Sequence, residues 1–141
     1  MNEMIENILR GHCIVKVVRD VYFDEYQAMP FDLRDEEADG QTSFLMDDNS
    51  EIYFTPNSEN MSVNICTGRM NILGEGYKRV DVSGNTFWAK RINVKIVSLV
   101  ELYHEDSNVP FGIKFTLYNG ICFSVKYLSD ESHVDSLIVT E

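Results

Sequence analysis

The sequence predicts an α+β domain, mainly antiparallel β-sheet built from two similar three-stranded meanders, with a short N-terminal helix. Three observations predict it. Runs rich in β-branched and aromatic residues alternate with polar turn signals. Asn119-Gly120 separates two alternating runs, the strongest short-range hairpin signal in the chain. One order of elements also occurs twice: long strand, loop, hairpin, then polar loop and short strand.

Taken in order, Met4, Ile5, Ile8 and Leu9 share one helical face over residues 2–10, and Gly11 is placed to end that helix. "CIVKVVRDVYF" follows as a long strand. "TSFLMDDNSEIYFTP" reads as strand, turn and strand, with "DDNS" the turn and Pro56 the end. "YKRVDVSGNTFW" is expected to form a hairpin across Ser83-Gly84-Asn85, with Phe87 and Trp88 packed at the sheet's end and Lys90 and Arg91 solvated. "INVKIVSLVELYH" is a second long strand, and "DSLIVTE" a final edge strand.

The repeat aligns Val15 with Val94 and places two copies at about residues 12–66 and 91–139 of one domain, 1–141. A chain of this length buries roughly 68–70% of its unfolded surface. The predicted buried faces carry Val15, Val17, Phe44, Ile52 and Phe54 in one copy and Val94, Ile96, Phe115, Phe123 and Val125 in the other. The copies differ most after the long strand. Copy one has a connection over residues 26–40, and copy two has only "EDSNVPFG".

That longer connection contains "DLRDEEADG", with five carboxylates in nine residues. It belongs to a wider asymmetry. Residues 1–60 hold fourteen acids and four bases, while residues 61–141 hold nine acids and eight bases, so the first segment carries ten of the eleven net negative charges. Such a surface repels nucleic-acid phosphates and anionic membranes and attracts basic partners. No apolar run reaches membrane-spanning length, and "MNEMIENILR" lacks the basic start of a signal peptide, so a cytoplasmic protein is expected.

Catalytic signatures are weak. Asp35, Glu37, Asp39 and Gly40 match the first EF-hand positions, but Met46 stands where a bidentate Glu is needed. "SDESHVD" sets His133 beside Asp135, Ser132 and Ser129 without a nucleophile elbow. "LGEGYKR" lacks the third glycine and Lys-Ser/Thr pair of a phosphate loop. Cys13, Cys66 and Cys122 are odd in number, widely spaced and set in apolar stretches, as small buried hydrophobes are. No metal or cofactor is therefore expected, and no catalytic residue.

The acidic segment 20–59 and the β-rich pattern ending "GIKFTLYNGICFSVKYLSDESHVDSL" resemble, at the level of class, the immunity proteins of bacterial toxin systems. The resemblance implies a non-enzymatic inhibitor that caps a basic toxin domain, often a nuclease. Asp32, Asp35, Glu36, Glu37 and Asp39, with Asp47, Asp48 and Glu51 from the next turn, are the expected partner-binding residues. The alternatives are a small hydrolase or isomerase with a pocket between the meanders, using Tyr103, His104 and Glu105, or a structural accessory domain.

Overall fold

The computed structural model describes residues 1–30, 40–71, 74–130 and 136–141. Helix α1 (Glu3–Leu9) precedes strand β1 (Ile14–Tyr22) and helix α2 (Phe23–Ala28). Strands β2 (Gln41–Met46), β3 (Glu51–Asn57), β4 (Ser62–Thr67) and β5 (Tyr77–Asp81) come next. Helix α3 (Thr86–Ala89) then leads into β6 (Ile96–Tyr103), β7 (Pro110–Leu117), β8 (Cys122–Leu128) and β9 (Ser136–Thr140). Two antiparallel sheets result, in the orders β4-β3-β2-β1-β5 and β6-β7-β8-β9.

The expected three-stranded meanders are thus four-stranded, β1 to β4 and β6 to β9, and the first gains β5 on its β1 edge. The expected hairpin across Ser83-Gly84-Asn85 does not form. β5 pairs instead with β1, Val18 opposite Asp81 and Tyr22 opposite Tyr77, and residues after Asn85 turn into α3. α2 leaves no helical period in the sequence, since its single buried side chain is Tyr26.

The sheets pack face to face through aromatic rings. Phe44 meets Phe54 at 5.0 Å, Trp88 at 5.6 Å, Phe115 at 5.9 Å and Phe123 at 6.0 Å between centroids. Phe115 stacks on Phe123 at 4.6 Å. Each such pair adds about 0.5–1.5 kcal/mol to the burial of its rings. Val17, Phe44, Ile52, Phe54, Ile96, Phe115, Phe123 and Val125 are fully buried, as their spacing predicts. Val15 and Val94 are only half-buried. A bulge between Ile14 and Lys16 turns Ile14 and Val17 to the same face, displacing Val15 from the core.

The same bonding occurs in both halves. A bulge recurs between Ile96 and Ser98, so Ile14 opposite Met46 and Val17 opposite Phe44 are answered by Ile96 opposite Leu117 and Leu99 opposite Phe115. In the first hairpin turn Met46 N donates to Ser50 O and Asn49 N to Met46 O. In the second, Leu117 N donates to Ile121 O and Gly120 N to Leu117 O. Asn49 (φ 71°) and Gly120 (φ 84°) occupy the matching left-handed positions. The halves meet where Cys13 pairs antiparallel with Lys95. Around that bridge Gly11 N donates to Ile96 O and Asn93 N to Ile14 O, two bonds related by a local twofold. The sandwich is joined at this corner by its two long strands.

Candidate functional site

Asp47 and Asp48 sit on the exposed tip of the β2–β3 turn. Asp47 is committed to the structure. One carboxylate oxygen accepts from Cys13 N at 3.0 Å, and the other lies 2.8 Å from His12 Nδ1. The Cys13 amide first, and then His12, hold its carboxyl below the usual aspartate value. Asp48 accepts from Ser50 N at 3.0 Å, an Asx turn that likewise holds its carboxyl low. Both therefore stay charged to unusually low pH. Glu51 stands apart from them, half-buried at the start of β3 and facing Lys16, Arg69 and Arg79 across the outer face of the sheet.

Asp32, Asp35, Glu36, Glu37 and Asp39 lie outside the described residues, as do His133 and Asp135. The return of that segment is described at Gly40. Its φ is +125°, and a Cβ there would stand 1.8 Å from Asp20 O. Only glycine allows the chain to press against β1 at this point.

Two arginines are withdrawn from the surface. Arg19 is fully buried and donates to Leu137 O at 2.8 Å and Gly40 O at 3.3 Å, tying β1 to β9. Arg91, expected in solvent, is 2% exposed. Its Nη1 donates to Phe87 O at 2.7 Å, its Nη2 lies 3.1 Å from Glu141 Oε1, and its guanidinium caps the Phe87 ring at 3.9 Å. Trp88 is wholly buried in the core, not at the sheet's end. Both arginines escape a reading of the sequence because Leu137 O, which holds Arg19, and Glu141, which holds Arg91, are distant in the chain and leave no local signal.

The three consecutive residues weighed for an enzyme each have different surroundings. Tyr103 Oη donates to Glu101 at 3.3 Å, while His104 stacks on Phe111 at 4.1 Å and Glu105 is exposed. Burial, followed by the Glu101 carboxylate, pushes the Tyr103 phenol above its usual value, which keeps it protonated at neutral pH. A cleft of about 240 Å³ does open between the sheets, lined by Val63 and Ile65 of β4, Ile113 of β7 and the N-terminal Met1 and Asn2. Neither Tyr103 nor His104 lines it.

The three cysteines are free and partly exposed, where full burial was expected. Burial first, then the Asp47 carboxylate, push the Cys13 thiol up, which lowers its reactivity at neutral pH. No group of three or more His, Cys, Asp or Glu able to hold a metal occurs among the described residues. No described helix is long and apolar enough to cross a membrane. No family model, curated protein or solved structure matches the chain.

Proposed function

We propose that the chain is a non-enzymatic binding protein of the immunity type, which neutralises a basic toxin domain by direct contact. The observation that carries this reading is the fate of the bases in the acidic segment. Of the four bases in residues 1–60, Arg19 is buried on backbone carbonyls and Arg10 is paired with Glu6. Arg34 lies outside the described residues, so Lys16 is the described base of this segment left exposed and without an ion pair. Among the described residues of this segment, little exposed positive charge remains to offset the carboxylates. Opposite charge across an interface accelerates encounter and fixes orientation. Asp48 is exposed for such contact, with Asp32, Asp35, Glu36, Glu37 and Asp39 as the main set. Asp47 contributes charge while holding the turn to β1.

The test is capture of a basic protein from lysate of the source cell by tagged chain, followed by a nuclease assay on the captured species. Capture is expected to weaken with salt, and the Glu36→Lys/Glu37→Lys double variant is expected to associate at least about tenfold more slowly at low salt. An unchanged association rate for that variant, or no basic protein retained at low salt, overturns the reading.

A further inference from the structure

We infer that the outer face of the five-stranded sheet carries a binding site for a small organic anion, with a carboxylate or phosphate head and an apolar body. In a chain with twelve bases and a net charge of −11, three of those bases converge there. Lys16 of β1, Arg79 of β5 and Arg69 from the segment after β4 line one cavity of about 380 Å³. That volume falls in the range of ordinary small-molecule sites, about 300–1,000 Å³.

The bases are available. Among the described residues none of the three is ion-paired. Arg79 Nη2 donates to Met70 O, whereas its Nε is buried with no partner. A buried guanidinium N–H without an acceptor is unfavourable, and an incoming oxygen would satisfy it. Of the two lining carboxylates, Asp81 already accepts from Ser83 N at 2.9 Å, and Glu51 is the other. A planar, forked donor set of this kind matches carboxylate and phosphate oxygens. Val18, Leu45 and the buried Met70 supply apolar wall beside it.

The tertiary arrangement explains why the site exists on one sheet. β4 and β5 lie on opposite edges of the sheet, and Arg69 and Met70, which follow β4, line the cavity on its outer face. In the second sheet the positions matching Lys16, Val18, Ser43 and Leu45 are Ser98, Val100, Lys114 and Thr116. Among the described residues no strand lies beyond β6 there, and Val100 is 51% exposed.

The probes are phenyl phosphate, benzoate and inorganic phosphate, titrated into isotope-labelled protein while the amide signals of Val18, Met70 and Arg79 are followed. Saturable shifts with phenyl phosphate or benzoate are expected, at least about tenfold tighter than with inorganic phosphate because the ring adds apolar burial. Arg69→Ala, at an exposed position, is expected to weaken binding of the organic anion by roughly tenfold and to leave capture of a basic protein unchanged. Absence of saturation with both organic anions overturns the inference. So does equal affinity for inorganic phosphate, or undiminished affinity in Arg69→Ala and Lys16→Ala.

Discussion

The two halves of the molecule share a bonding plan and differ in what is laid over it. Residues 14–67 and 96–140 each give four antiparallel strands, a bulge in the first strand and a four-residue turn with the same pair of hydrogen bonds. Only the first half carries the acidic connection, α2, and the edge strand β5 with its covering segment. The second half keeps a short link between β6 and β7, and on its outer face Val100 is 51% exposed. The comparison teaches that hydrogen-bonded framework and surface chemistry are separable. The framework is repeated because both halves must bury the same kind of face against one another, while additions at an edge or in a connection leave that face untouched.

The largest expected effect tests whether the two halves share one core. Phe44→Ala and Phe115→Ala remove matching rings from opposite sheets and should each cost about 3–5 kcal/mol in denaturant unfolding. Each variant should still unfold in one transition seen alike by Trp88 fluorescence and far-UV dichroism. Two separated transitions would break the picture of a single interdigitated core.

A smaller effect separates the two turns by pH. Asp47 and Asp48 have carboxyls held below their ordinary value, whereas Tyr118 and Asn119 fill the matching places in the second turn. A carboxyl depressed on folding contributes stability that is fully present above the unfolded value and is lost as pH falls through the folded one. Asp47→Asn should therefore lower stability at neutral pH and flatten its decline below about pH 4. Replacing Asn119 by Ala should not alter the slope against pH. An unchanged acid slope in Asp47→Asn would remove the asymmetry between the turns.

The smallest effect sharpens the equivalence itself. Gly120→Asn installs in the second turn the residue that already sits at φ 71° in the first, and nothing lies within 4 Å of where its Cβ would be. Thermal unfolding should move by no more than about 0.5 kcal/mol, because Asn tolerates the left-handed region. Gly120→Val should cost more, since a β-branched residue at positive φ is strained. Equal losses for both would show that the two turns are not equivalent.

How far the site was legible depended on the range of the signal. The Asn119-Gly120 and "DDNS" turns, the long strands and most of the buried positions were readable because strand alternation and turn chemistry act over a few residues. The mismatch between Val15 with Val94 in the sequence and Ile14 with Ile96 in the bonding arises at the bulges. Each bulge inserts one residue into a two-residue period, and the pattern does not mark where. Glu51 is near Asp47 and Asp48 in sequence, but at the start of β3 it lines the cavity with Lys16, Arg69 and Arg79.

By itself the sequence determined an antiparallel α+β chain, its acidic first segment and two similar strand orders, all properties of composition and short period. Only the tertiary structure decided that β5 joins β1, that Arg19 turns inward to Leu137 O and that Arg91 reaches Glu141. It also brought Lys16, Arg69 and Arg79 to one cavity. Each of these depends on a partner many residues away, whose position is set by how the sheets close and not by the residues beside it.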